Sequence, residues 1–457
     1  MTEKQQLLVD AVNGAKEQIL AAERWLWEHP QTGYTEWQAH EYLKQRFEAL
    51  GYELTLAGDI PGFITDVDTG RPGPCVVIFG ELDALEQQGH PCAVDGMAHS
   101  CGHNTQGAAL LGIAAALKAP GALEGLSGRI RLCAVPAEEM IQLGFREQLR
   151  QKGTIRYLGG KPEFMARGLL DGVDIAMMVH AGGGDSPEDP FDFACGKGSN
   201  GCMAKTIVYK GKAAHAGGAP HQGINAQYAA TLGLSACNAL RETFPDSDHI
   251  RFHPIMMGAN CAVNIIPDEM KLESYVRGAT QEAMSRENRK INRALAGAAL
   301  AMGAQVELHD RPGYAPEIHD PALMKLTEEC CIALVGADRV RFNYESWGSA
   351  SSDFGDITCV MPGVQFNACG VRGAGHGVDY TVAEPERLCL NSAKAQLLLT
   401  DALLREDAAT ARRIIADYKP AYPSIPAYLE AIDRLFLDKE AVVYNEDGTA
   451  TVDFANN

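Results

Sequence analysis

The sequence predicts an α/β protein with a mixed, largely parallel sheet and an inserted ferredoxin-like α+β domain. Three observations carry this. Short β-rich runs alternate with helix-like stretches from about residue 62 to residue 179. Between about 198 and 312 the order changes to strand, helix, strand, strand, helix, strand, and the first alternation then resumes. Alternating strand and helix is the pattern of a layered α/β fold with parallel strands, and β-α-β-β-α-β is the split ferredoxin-like unit. At about 150 residues per domain, 457 residues suffice for two or three domains.

Taken in order, Leu8, Val12, Ile19, Leu20, Trp25 and Leu26 recur at helical spacing and Pro30 follows, so an amphipathic helix opens the chain. Strands are expected at 62–68, 75–79, 128–135 and 174–179, with helices at 106–118 and 161–170. In the insert, strands at 204–209, 250–257, 269–277 and 305–310 alternate with helices at 225–240 and 281–301. Residues 321–335 read as a helix, 363–367 as a buried strand, and 388–405 as a long Ala- and Leu-rich helix. The tail after Pro420 has no clear pattern.

Composition narrows the function. The 40 Lys+Arg against 59 Asp+Glu leave a formal charge of −19, which repels polyanions, and no basic patch interrupts it, so nucleic acid is not expected as a partner. No run of 18 apolar residues occurs and the opening MTEKQQ lacks the charged-then-apolar order of a secretory signal, so a cytoplasmic protein with no membrane association is expected. The 13 cysteines include an adjacent pair, Cys330-Cys331, but no CxxC, which argues against a disulfide framework or a zinc ribbon. The GKGSNG run at 196–201 matches GxGxxG, yet a strand-like run follows where a dinucleotide site needs a helix, and it reads as a domain hinge. GxSxG, HExxH and P-loop signatures are missing.

The acids and histidines fall where strands end. The run at 75–79 leads into Glu81 and Asp83, that at 128–135 into Glu138-Glu139, that at 174–179 into His180, and that at 363–367 precedes a Gly-rich loop holding His376. In open α/β sheets ligands bind outside the carboxyl ends of the strands, so these side chains converge on one crevice. His99-Ser100-Cys101-Gly102-His103-Asn104, just before a helix, joins the set. A thiolate, imidazoles and carboxylates suit zinc or manganese, and five such groups exceed what one tetrahedral ion needs. Two divalent ions, Mn²⁺ or Zn²⁺, about 3.5–4 Å apart would share a water and polarise a carbonyl. In the Glu138-Glu139 doublet one carboxylate can ligate while the other acts as base. Taken singly, each residue has a plainer reading: a lone Cys or His in the core, a Glu pair on a solvated face, Asp83 as a helix cap.

GELDAL (80–85), HSCGHN (99–104), PAEE (136–139), Val179-His180 and a Gly-flanked His376, with GKAAHAGGAPHQGINA (211–226), NIIPD (264–268) and Arg277 in the insert, resemble the M20 metallopeptidases over nearly the whole chain. Within that family the match is to the aminoacylase and amidohydrolase branch, subfamily D. Asn104 and SSDFGDI (351–357) resemble the aminobenzoyl-glutamate hydrolase B-subunit type. The resemblance implies Cys101, His103, Glu139, His180 and His376 as metal ligands, with Cys101 bridging. It implies Glu138 as general base, Asp83 as the group orienting a ligand imidazole, His215 as an oxyanion donor reaching a neighbouring active site, and Asn264 and Arg277 near the substrate carboxylate. The catalytic, metal-binding domain would comprise 1–197 and 313–457, and 198–312 would be a lid and dimerisation domain giving a homodimer.

The sequence departs from the family pattern at Glu86, at Asn104, and where Met140-Ile141-Gln142-Leu143 and a charged stretch up to Lys161 replace a Gly-rich segment. The function implied is cleavage of the amide of a small N-acyl or N-aroyl amino acid, aminobenzoyl-glutamate-like, by a dinuclear-metal amidohydrolase. A dipeptidase, a catalytically silent binding or assembly protein, and a single structural zinc held by Cys101, His103 and Glu139 stay open as alternatives.

Overall fold

The computed structural model describes residues 1–182, 190–258 and 261–455. The chain divides into two compact units, one of Met1–Gly198, Glu317–Gly348 and Ser352–Ile425, the other of Ser199–Pro316, Ser349–Ser351 and Pro426–Asn457. Among the described residues no helix is long and apolar enough to cross a membrane.

The first unit is built on a nine-stranded sheet. Its centre is four parallel strands in the order Arg129–Val135, Cys75–Glu81, Ile175–Gly182, Gly363–Cys369. All seven residues of Cys75–Glu81 are buried, as a strand covered on both faces requires. Antiparallel strands flank this centre, Phe63–Asp68 against Arg129–Val135 and Phe193–Ser199 against Gly363–Cys369. The expected mixed, largely parallel sheet therefore forms, from the runs that predicted it. The helix His103–Leu117 is buried along nearly its whole length and apolar all round beyond its polar first turn, packed between the sheet and the helices Lys16–Trp27 and Pro385–Asp417.

Local signals explain three differences. The opening segment is two helices, Glu3–Gly14 and Lys16–Trp27, because Asn13-Gly14 is a poor place to continue a helix. The helix expected over 161–170 is the shorter Gly160–Ala166, followed by Gly168 in the left-handed region. The helix Pro385–Asp417 is interrupted at Arg405–Ala408, where the Ala- and Leu-rich run ends.

In the second unit, strands Gly201–Lys210, Glu269–Gly278 and Gln305–Tyr314 form an antiparallel sheet with Gly201–Lys210 in the middle. Glu269–Gly278 and Gln305–Tyr314 alternate buried and more exposed residues along their length, the period-two pattern of a half-covered sheet. The helices Ala226–Ala239 and Gln281–Met302 supply the cover, with Ile207, Leu272, Ile291, Leu295 and Leu308 in a shared core. Asn225 and Thr280 cap them by accepting from the backbone N–H groups of Tyr228 and Ala283. The strand expected at 250–257 is split into Arg251–Phe252 and Ile255–Met256, both paired with Glu269–Gly278, because Pro254 between them has no N–H for the ladder.

The C-terminal tail departs most from expectation. Residues 426–457, expected to belong with 313–457 to the first layer, fall in the second unit. Leu437–Tyr444 pairs antiparallel with Gln305–Tyr314, and Ala450–Val452 pairs beyond it. The division between the units falls between Gly198 and Ser199, and residues 196–201 lie largely within two strands, Phe193–Ser199 and Gly201–Lys210.

Candidate metal centre

The carboxyl ends of the four parallel strands deliver the chemistry. Glu81 ends one strand and Asp83 follows it; Glu138-Glu139 follow Arg129–Val135; His180 lies in Ile175–Gly182; His376 sits in the loop after Gly363–Cys369. Ligand atoms of Cys101, His103 and His180 lie within 4.8 Å of one another, and so do those of Cys101, Glu139 and His376. The five residues expected as ligands thus meet as two triads that share Cys101. A third group, Glu81, His103 and Glu138, lies equally close.

Gly102 makes the bend that brings Cys101 and His103 together. It sits in the left-handed region at φ +87°, at the N-cap of the helix His103–Leu117, and a Cβ there would lie 2.3 Å from Tyr380 Oη. Left-handed geometry costs a residue with a Cβ about 1–2 kcal/mol before the clash is counted. Gly102→Ala is expected to lower the thermal midpoint by several degrees, and Tyr380→Phe in the same chain to recover part of the loss. Thermal melts followed by circular dichroism check both.

Two of the three imidazoles, His103 and His180, are oriented through their other nitrogen. Asp83 receives His103 Nδ1 at 3.0 Å through both Oδ1 and its backbone oxygen, so Nδ1 carries the proton and Nε2 has its lone pair free to ligate. His180 Nδ1 lies 2.9 Å from the Ala181 carbonyl while Nε2 lies 3.3 Å from Cys101 Sγ. The backbone N–H of His376 donates to the Ser100 carbonyl at 2.8 Å, and Asp83 Oδ2 accepts from Glu139 N at 2.8 Å. His103 Nε2 is buried and makes no hydrogen bond, although Glu81 Oε2 is 3.2 Å away. An orphaned buried nitrogen among a thiol, a second imidazole and carboxylates fits a divalent cation. Asp83→Asn is expected to weaken metal binding about 10–100-fold with the fold intact, measured by competition with a chromogenic chelator.

Electrostatics separates the two glutamates of the doublet. Burial, reinforced by the charges of Glu81 and Glu139, pushes the Glu138 carboxyl well above its usual range. Burial would raise Glu139 too, but its ion pair with His376, Nε2 to Oε1 at 3.0 Å, together with the charge of His103 outweighs that and holds it low. Two neighbouring carboxyls pushed apart in this way suit one proton carrier and one anionic ligand. Asn104 turns elsewhere, its Nδ2 donating to Glu23 Oε1 at 2.9 Å, and burial pushes Glu23 up to about 7.

Sequence reasoning missed four buried charged groups. Ala137 has φ +59°, and its N–H donates to Glu36 Oε1 at 2.8 Å. Arg146 donates to the carbonyls of Leu158, at 2.6 Å, and of Glu139. Glu36 therefore holds the backbone just before the doublet, and Arg146 holds that of Glu139. Lys161 forms ion pairs with Glu81 and Asp353, all three with fully buried side chains. The signals were faint: Lys161 stands after a Gly-Gly pair at a helix start, and Asp353 lies inside SSDFGDI.

The three residues from the insert lie in the second unit. His215 is exposed and bridges Ile265, and its Nδ1 accepts from the N–H groups of Gly217 at 3.1 Å and Gly218 at 2.8 Å. That places its proton on Nε2. Asn264 accepts from Ala216 N through its backbone oxygen at 2.9 Å, and Arg277 Nη1 donates to Ser351 Oγ at 2.9 Å.

A family model described as peptidase family M20/M25/M40 matches residues 77–395, which span every residue placed in the two triads. The chain belongs to peptidase family M20/M25/M40. Among curated relatives, the Xaa-Arg dipeptidase of Homo sapiens is 27% identical over 417 residues, covering 84% of this chain and 85% of that protein. The indole-3-acetyl-aspartic acid hydrolase of Enterobacter agglomerans is 32% identical over 266 residues, covering 55% of this chain and 55% of that one. Among solved structures, a dinuclear metal-binding M20 peptidase from Bacillus subtilis superposes with a TM-score of 0.62 at 22% identity, covering 86% of this chain and 99% of that one. The chain is accordingly a hydrolase of this family with candidate metal-binding groups at its strand ends.

Proposed function

We propose that the protein is a dinuclear-metal amidohydrolase that cleaves an N-acyl or N-aroyl amino acid, aminobenzoyl-glutamate-like, into a carboxylic acid and a free amino acid. One observation carries the reading: two triads share Cys101, and a carboxyl that belongs to neither, Glu138, stands beside them. Two divalent ions, zinc or manganese, held by Cys101, His103 and His180 and by Cys101, Glu139 and His376, would supply Lewis acidity to the amide carbonyl and acidify a water.

The protein's own groups do the rest. Glu138 takes the proton from the attacking water and returns it to the departing amine nitrogen. Asp83 keeps His103 in the ligating tautomer, Glu36 holds the backbone of Ala137 just before the doublet, and Arg146 holds that of Glu139. His215, with its proton on Nε2, donates to the developing oxyanion of a neighbouring protomer in a homodimer, while Asn264 and Arg277 receive the amino acid's carboxylate. A donor of the His215 kind is typically worth about 3 kcal/mol. The protein works in the cytoplasm on small molecules.

Purified protein reloaded with Mn²⁺ or Zn²⁺ is tested against N-acyl amino acids, aminobenzoyl-glutamate and dipeptides, with released amino acid quantified by chromatography. Chelator-sensitive release from the conjugates supports the proposal. The human dipeptidase match, which spans most of both chains, favours a second reading in which a dipeptide with C-terminal arginine is the substrate. Release from that dipeptide alone would replace the conjugate reading, and no release with metal bound would point to a binding protein.

A further inference from the structure

Lys161 has a fully buried side chain at the start of the helix Gly160–Ala166. Its ammonium meets Glu81 Oε1 at 2.5 Å and Asp353 Oδ1, and its backbone N–H donates to Asp353 Oδ2 at 2.9 Å. The other oxygen of Glu81 accepts from Gln106 Nε2 at 2.8 Å and lies 3.2 Å from His103 Nε2. Asp83 occupies His103 Nδ1, so Nε2 alone is left to ligate, and one nitrogen serves one ion. Two groups nonetheless compete for it, Cys101 with His180 and Glu81 with Glu138. If an ion settled in the second group, Glu138 would become a ligand and could no longer carry a proton. What separates the two outcomes is how available the negative charge of Glu81 is, and that charge is already paired with Lys161.

We propose that Lys161 is a built-in cation that withholds the Glu81–His103–Glu138 group from divalent metal, so that the ions settle in the two triads sharing Cys101 and Glu138 carries protons rather than ligating. Lys161 is thus a positioning residue acting through Glu81, and the inference rests on the proposed function.

Cobalt substitution of the full chain tests this. Wild-type protein is expected to bind two Co²⁺ ions with near-ultraviolet charge transfer from the Cys101 thiolate. In Lys161→Met, the charge-transfer intensity per cobalt falls to about half as one ion leaves the thiolate for the Glu81 group, and kcat falls about 100-fold with KM little changed. Adding Glu81→Gln removes the competing ligand, and is expected to restore the absorption and at least about tenfold of kcat.

A folded Lys161→Met variant with wild-type cobalt stoichiometry and absorption overturns the inference, whatever its kcat, and so does a double variant no more active than the single one. If Lys161→Met does not fold, the charge-balanced Lys161→Met/Asp353→Asn carries the same expectation and the same refutation. Wild-type protein that turns over with two cobalt ions bound keeps the functional reading when the variants refute this one. A wild type that binds no pair of ions overturns both.

Discussion

Glu138→Gln is expected to lower kcat about 10²–10⁴-fold while leaving both metal ions bound and KM within a few-fold of wild type. The substitution keeps the shape of the side chain and removes only its capacity to take and return a proton. Glu138 belongs to neither of the triads that share Cys101, so metal content measured by atomic absorption should not change. Burial and the charges of Glu81 and Glu139 already disfavour the Glu138 carboxylate, so a neutral amide there should hold or raise the thermal midpoint. Amino-acid release by the variant within tenfold of wild type would remove Glu138 from the mechanism. Loss of metal together with loss of turnover would make it a ligand instead.

Cys101→Ala should have the broadest effect on the metal centre. Every other ligand of the two triads serves one of them, whereas Cys101 serves both. Metal content is expected to fall from two ions to one or none, and kcat by about 10³-fold or more, the scale on which a principal electrostatic contributor acts. His180→Ala and His376→Ala are the matched controls, each expected to empty one site and spare the other. Equal metal loss in all three variants would show that the sites fill as one unit without a shared thiolate, and would end the bridging role of Cys101.

The parts of this centre that were legible in the sequence share one property: a strong local pattern sets them. The β-branched run before Glu81 announces a strand buried on both faces, and the residues that follow such a strand are aimed at the crevice. The same reasoning reached Glu138, Glu139, His180 and His376. Lys161, Asp353, Glu36 and Arg146 were not reachable in this way. Lys161 and Asp353 are 192 residues apart and Glu36 and Ala137 are 101 apart, Arg146 bonds to backbone carbonyls, and a charged side chain is by default expected at the surface. Only the fold shows that they are paired and dry. The tail after Pro420 was opaque for a related reason, since its strand Leu437–Tyr444 is defined by the distant strand it joins rather than by its own periodicity.

That tail has a consequence for how the chain is made. Gln305–Tyr314 would be an outer strand of its sheet, with a row of unpaired N–H and C=O groups inviting other chains to add on, were Leu437–Tyr444 not laid against it. The covering strand leaves the ribosome more than a hundred residues later, so the nascent second unit waits with an open border while most of the first unit's remaining segments are still being synthesised. Once in place, the border ends in the three-residue strand Ala450–Val452, flanked by Asp447 and Asp453, which is too short and too acidic to serve as a template. Protection of this border thus depends on a segment far downstream of the strand it covers.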